Sequence, residues 1–330
     1  MTSATPAAVS LSPTRRLSDR VGDRLIVVIT VLAAIAAGAL IVLIIYKLVD
    51  GASASVSKFG LAFVWHSTWN PSAAAGVRNA NVFGAGALLF GTVVTSTISL
   101  LLAVPLGIGI GVYLSLLASG RVGAIVGPLV ELLAAVPSVI IGLWGILVLA
   151  PFMRSTIMPA LHGALGWIPI FGTPSTTGLG VFTAGVALAI MVLPIMAAIS
   201  RDLFLSVPSE LKDGALALGM TRWEMIRGVV LDSSRAGLAA ATILGLSRAL
   251  GEAIAVTQLI GAGSAIHANL FDTGDTFASR IAEQFNDSTG LWTSSLFYCA
   301  VILLVMELVI NFAAQVIVRR FERRMGLAAR

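Results

Sequence analysis

The chain has 330 residues, of which 57% are hydrophobic and 11% charged, against about 25% charged residues in soluble domains, so water is excluded as the solvent for most of it. The net charge is +5, an excess that can mark either nucleic acid partners or membrane topology. A single cysteine, Cys299, excludes an intrachain disulfide, and His66, His162 and His267 fall outside any ligand spacing, so no metal is expected.

Residues 1–24, rich in Ala, Ser, Thr and Pro without an apolar period, read as a loose N-terminal tail. Arg15, Arg16, Arg20 and Arg24 precede the apolar run 25–49, whose one charge is Lys47 near its end; the run is longer than the roughly 7–15 residues of a signal-peptide core and reads as an uncleaved membrane helix. Crossing about 30 Å of hydrocarbon takes about 20 apolar residues, and five further runs qualify: 83–117, 122–150, 179–200, 236–260 and 296–318. Between the first two, 50–82 reads as an outer loop carrying Trp65, Trp69 and Pro71. Pro105, Pro128, Pro137 and Pro194 lie inside apolar runs and read as kinks, because neighbouring helices can satisfy the freed backbone groups.

Gly107-x-x-x-Gly111 and Gly123-x-x-x-Gly127 would let helices approach closely. Residues 151–178 carry Pro151, Pro159, Pro169 and Pro174 and read as a short outer segment or half-buried hairpin. The stretch 261–292 sets Asp272, Asp275, Glu283 and Asp287 against Arg280, and reads as a docking surface or a solvated loop. The expected fold is an all-α integral membrane protein of six transmembrane helices, with a five-helix core over 83–318 and a tail over 319–330.

With the N-terminus inside, most of the 21 Lys and Arg fall in cytoplasmic segments. The positive-inside rule then places both termini in the cytoplasm. Topology accounts for the basic excess, and no nucleic acid partner is expected.

The longest cytoplasmic segment is 201–235. Pro208 and Ser209 can open a helix, and Gly219 is placed to end it in the left-handed conformation. Thr221-Arg-Trp-Glu224 has the spacing of a capping box and opens a second helix. Ala215, Leu216, Leu218, Met220 and Trp223 form an apolar tip at the turn, suited to a partner's groove, to lipid headgroups or to packing against this chain's own loops.

This segment resembles the cytoplasmic loop of ABC importer permeases, whose pattern is E-A-A-x-x-x-G followed by nine residues and I-x-L-P. Asp213-Gly214-Ala215, Gly219 and Val229-x-Leu231 match its spacing, with Asp213 for Glu, Gly214 for Ala and Asp232 where Pro is usual. Ser67-Thr-Trp-Asn-Pro71, Glu131-Leu-Leu-Ala-Ala-Val-Pro-Ser138 with Gly142-Leu-Trp144, Ala189-Ile-Met-Val-Leu-Pro194 and Arg248-Ala-Leu-Gly-Glu-Ala-Ile-Ala-Val-Thr257 are similar to phosphate-specific permeases of the PstC type. The resemblance implies a type I ABC importer permease fold in the inner membrane and a part in phosphate uptake by alternating access. It implies as partners a homologous permease (PstA type), a cytoplasmic ATPase dimer (PstB type) and an outer phosphate-binding protein (PstS type). It also assigns Asp213, Gly214, Ala215, Leu218, Gly219 and Met220 to coupling with the ATPase.

Arg248 and Glu252 fall in one apolar run, four residues apart, a spacing that puts them on one helix face. A charge at a helix centre costs about 2.5–3.5 kcal/mol on insertion scales, so such residues face an interior or a pathway. A guanidinium offers phosphate a planar fork of donors, so Arg248 is the expected contact, held by Glu252. A purely structural ion pair is the competing reading. Glu131 and Glu307 read as intramembrane acids with structural roles, and Thr92, Thr95, Ser96 and Ser138 as hydroxyls that could face an oxyanion or, the more common case, bond to their own helices.

No G-x-x-x-x-G-K-[ST] occurs, so no cofactor is expected in this chain, ATP and magnesium being bound by the partner, and no enzyme activity of its own. The alternatives are a permease for another oxyanion such as sulfate or molybdate, and an ion-coupled secondary transporter, which would show inverted repeats.

Overall fold

A computed structural model of the protein describes residues 17–71, 82–118 and 120–324. Readings that fall on 1–16, 72–81, Ser119 and 325–330, including most of the N-terminal tail, lie outside the described residues. Two compact units divide the chain, Met1–Asp50 and Gly51–Arg330. Among the described residues, six helices are long and apolar enough to cross a membrane. Helices prevail because hydrocarbon offers backbone groups no partner and a helix satisfies them within one segment.

Helix α1 is Leu17–Phe59. Its apolar side chains from Leu25 to Val49, Leu48 apart, are exposed, as suits a surface covered by lipid. A one-turn helix, Ala62–Trp65, leads to a small antiparallel hairpin of β1, Trp69–Asn70, and β2, Val82–Phe83, with Trp69 opposite Phe83. Then come α2, Gly86–Leu117, α3, Gly120–Ala134, α4, Ser138–Leu165, and α5, Val181–Ser206. The remainder is α6, Ser209–Ala217, α7, Arg222–Leu250, α8, Ile254–Ile260, α9, Phe277–Gln284, and α10, Leu291–Arg324.

The core is organised on α5, which packs against α2, α3, α7 and α8. Glycine makes the α2 contact possible. A Cβ on Gly107 would stand 2.5 Å from Cβ of Met196, and one on Gly111 would stand 2.6 Å from Cβ of Ser200. Hydrocarbon supplies no hydrophobic drive between helices, so close van der Waals packing at small residues does the work. Gly142 and Gly145 serve α4 likewise, admitting Gln258 and Leu259 of α8.

Two apolar runs are divided differently from the hydropathy reading, and α1, α4 and α7 extend beyond it. The run 122–150 is two helices: α3 stops at Ala134, and the chain breaks before Ser138. Pro137 removes an amide donor and disfavours helix at the residue before it. With 15 residues, α3 rises only about 22 Å, and the spanning helix is α4. Residues 151–165, expected in an outer segment or hairpin, continue α4 through Pro151 and Pro159, absorbed by a π-turn at Met153–Ile157. Arg154 therefore sits on a helix, donating from Nη1 to the carbonyl of Thr176 at 3.3 Å.

The run 236–260 also breaks, at Gly251, into α7 and α8. In the other direction, α7 begins at Arg222, so the second helix of the 201–235 segment and the fifth span are one rod. Residues 50–59, assigned to an outer loop, extend α1.

Within the 261–292 segment, 274–280 is buried, whereas Asp272, Glu283 and Asp287 stay exposed or half-exposed. Asp275 is 1% and Arg280 5% exposed, and Arg280 Nε lies 2.6 Å from Asp275 Oδ2. Trp69 covers the guanidinium with its ring 5.5 Å away and donates to Oε1 of Gln284 at 2.9 Å, an oxygen that also accepts from Trp292. Thr92 on α2 accepts from the Phe277 amide at 3.1 Å, and Asp275 accepts from the Thr276 amide and the Ser279 hydroxyl. Burial pushes the Asp275 carboxyl up to about 6, against the opposing pull of Arg280.

Candidate functional site

Two places gather the residues expected to act. The first is the gap between α7 and α8. Helix α7 ends at Leu250, with Gly251 as its cap and the Gly251 amide bonded to the carbonyl of Ser247 at 3.2 Å. Arg248 occupies the last turn, where a cation suits the negative end of the helix dipole.

Glu252 lies beyond the helix, in the gap itself, so the expected shared helix face is replaced by a fold-back across a break. The two still pair, Arg248 Nη2 standing 3.6 Å from Glu252 Oε2. Their exposures differ: the Arg248 side chain is 42% exposed and that of Glu252 8%. The acid is an internal anchor, and the base presents donors outward. At 3.6 Å the pair is looser than the roughly 2.7–2.9 Å of a tight charge-assisted bond, which leaves the guanidinium free to take another acceptor.

The neighbours of this gap come from α10. Ser247 donates to Oδ1 of Asn311 at 2.9 Å, and a Cβ on Gly251 would stand 3.4 Å from Oε1 of Glu307. Glu131, by contrast, is on α3, which is not one of the spanning helices, and pairs with Arg201 of the spanning helix α5 at 3.1 Å; the expectation of an acid inside the third span is corrected. Gly127 makes room for that Arg201, a Cβ there standing 2.9 Å from its guanidinium carbon. Thr92 and Thr95 donate to their own helix at 2.7 and 2.8 Å.

The second place is the turn between α6 and α7. Gly219 has φ +87°, which a side chain would resist, and the amide of Met220 closes the turn on the carbonyl of Ala215 at 3.2 Å. The Thr221 hydroxyl accepts from the Glu224 amide, and Glu224 accepts from the Thr221 amide at 2.8 Å, completing the capping box. Ala215 is buried with Phe204, Met225, Ile226 and Val230, which fixes the hairpin to α5. Leu218 is 84% and Trp223 66% exposed. Glu210, Leu211, Gly214, Leu218, Met220 and Val229 line a shallow apolar groove beside the turn; Asp213 is exposed on α6.

The family described as "Binding-protein-dependent transport system inner membrane component" matches residues 103–327, which hold both places. The chain belongs to this family. Among curated relatives, the phosphate transport system permease protein PstC of Pasteurella multocida is 37% identical over 316 residues, 95% of this chain and 97% of the relative. PstC of Mesorhizobium japonicum is 40% identical over 285 residues, 85% of each, and PstC 2 of Mycobacterium tuberculosis 38% over 323 residues, 94% of each.

Among solved structures, a bacterial alginate ABC transporter in complex with its alginate-bound periplasmic protein aligns with a TM-score of 0.60 at 16% identity, over 93% of this chain and 98% of that one. The inward-facing MetNI methionine ABC transporter aligns with a TM-score of 0.53 at 19% identity, over 71% and 95%. The fold is that of ABC importer permeases. The chain is accordingly a multi-pass membrane permease subunit of this family.

The sequence missed Gly251 as a helix end because a glycine inside an apolar run reads as packing. Gly251 itself was the available signal, because glycine is common at helix ends and unfavourable inside a helix.

Proposed function

We propose that this permease carries inorganic phosphate inward, paired with a homologous permease and driven by a separate cytoplasmic ATPase dimer that binds the ATP and magnesium, with an outer phosphate-binding protein delivering the anion. The names of the relatives support the substrate. The single observation that carries the chemistry is the unequal exposure of the Arg248–Glu252 pair: a half-exposed guanidinium held loosely by a buried carboxylate can accept phosphate through its free donors and return to its anchor afterward. The buried acid limits affinity, which an anion that must leave requires.

Both termini lie in the cytoplasm under this reading, supported by the Lys and Arg bias. That puts the exposed Leu218 and Trp223 tip where an ATPase cleft could receive it. The absence of a phosphate-cradling glycine-lysine motif from the sequence supports assigning hydrolysis to the partner.

The test is radiolabelled phosphate uptake by the full complex with Arg248→Lys and Glu252→Gln, compared at equal membrane levels. Loss of about tenfold or more in uptake by Arg248→Lys is expected, because a point charge cannot replace the planar fork. Wild-type uptake by both variants would sink the reading.

A further inference from the structure

Glu307 of α10 has no role in the proposed function, yet it stands at the same gap. Its Oε1 lies 3.4 Å from where a Gly251 side chain would begin. Gly251 is three residues beyond Arg248 and bonded as the last position of that helix turn, so the two positions are neighbours on one face, about 5–6 Å apart. The Glu307 carboxylate is therefore within the reach of an arginine side chain at position 248. One turn along α10, Asn311 is bonded to Ser247, which fixes this face of α10 toward the end of α7.

Two further observations bear on its role. Among the described residues Glu307 makes no hydrogen bond or ion pair, although it lies on a spanning helix, where an ionisable side chain without a partner is unfavourable. Arg248, for its part, holds Glu252 at the loose distance of 3.6 Å with its side chain 42% exposed. An uncommitted acid and a half-committed base face one gap.

We propose that Glu307 is a second, alternate carboxylate for Arg248, a positioning residue that competes with the transported anion for the guanidinium. With Arg248 on Glu252 and Glu307 free, the guanidinium still presents donors to an anion. With Arg248 drawn to Glu307, those donors are occupied and the anion is expelled. The α7–α8 gap is what permits the exchange, since Gly251 carries no side chain between the two groups. This rests on the phosphate-import reading of Arg248.

The experiment measures phosphate transport by the full complex in proteoliposomes, taking KM and Vmax across pH 5.5 to 8 for wild type, Glu307→Gln, Glu307→Asp and Arg248→Lys. The inference expects Glu307→Gln to lower KM about threefold and Vmax about tenfold, a split in which the anion is held longer, with Glu307→Asp returning both toward wild type. Wild-type KM and Vmax for Glu307→Gln would overturn it, as would equal damage from Gln and Asp with KM unchanged, which marks a structural role. If Arg248→Lys transports normally, the import reading fails first; if Arg248→Lys is defective and Glu307→Gln is normal, only this inference fails.

Discussion

Gly219 shows how one residue type can decide a local structure. Its φ of +87° lies in the left-handed region, and nothing stands within 4 Å of where a Cβ would point, so backbone conformation alone selects glycine there. Gly219→Ala is expected to loosen the α6–α7 turn by about 1 kcal/mol, since the left-handed conformation costs other residues about 1–2 kcal/mol, and Gly219→Asn by less. Hydrogen exchange of the amides from Ser209 to Met220 measures this, and equal protection in all three proteins would show that the turn does not depend on the glycine. This position was legible in the sequence because capping is local: the glycine, Thr221 and Glu224 act within a few residues of one another. Arg248 and Glu252 were legible only as a charged pair in an apolar run. That one is exposed and the other buried depends on what packs around the gap.

Among the elements, the run 236–260 and the segment 261–292 diverge most from the sequence reading. Hydropathy averages over a window and does not register a three-residue break, so α7 and α8 merged. The 261–292 segment was read as a docking surface or a solvated loop because its charges were counted singly; in the fold, of these charges, Asp275 and Arg280 alone are buried, facing each other under Trp69. Ser279, beside Arg280, has its carbonyl 3.5 Å from the Thr257 hydroxyl of α8, so this buried pair also steadies the helix that follows Glu252. The Asp275 carboxyl, raised to about 6 by burial, titrates in the folded protein above its ordinary value of 3.8. Its contribution to stability is therefore full below about pH 4 and is lost as pH rises through 6. Asp275→Asn is expected to flatten this part of the profile. Thermal unfolding of the purified protein from pH 4.5 to 7.5 checks it: wild type should lose stability relative to the variant as pH rises through 6, and parallel profiles would refute the assignment.

For the molecule as a whole, the two candidate places are joined by α7, which runs from Arg222 beside the apolar tip to Leu250 beside Glu252. The sequence treated the second cytoplasmic helix and the fifth span as separate helices, whereas one continuous rod, Arg222–Leu250, can carry a displacement from end to end. Leu218, 84% exposed, contributes little to the fold of this chain, so Leu218→Asp should leave its membrane level unchanged. Under the proposed assembly the same substitution should cut phosphate-dependent ATP hydrolysis of the reconstituted complex about tenfold, by burying an unpaired charge in the partner's groove; normal coupled hydrolysis would place the ATPase contact elsewhere. The sequence by itself determined the membrane solvent, the spanning helices, the glycine turn with its capping box, and the motifs that resemble phosphate permeases, because hydropathy, capping and motif spacing are properties of neighbouring residues. The tertiary structure alone decided that α3 is separate from α4, that Asp275 and Arg280 are buried together, and that Glu307 stands at the gap beside Arg248. Those outcomes depend on contacts between helices distant in the chain, such as Ser247 with Asn311, and no local pattern encodes which distant side chain will fill the space a glycine leaves open.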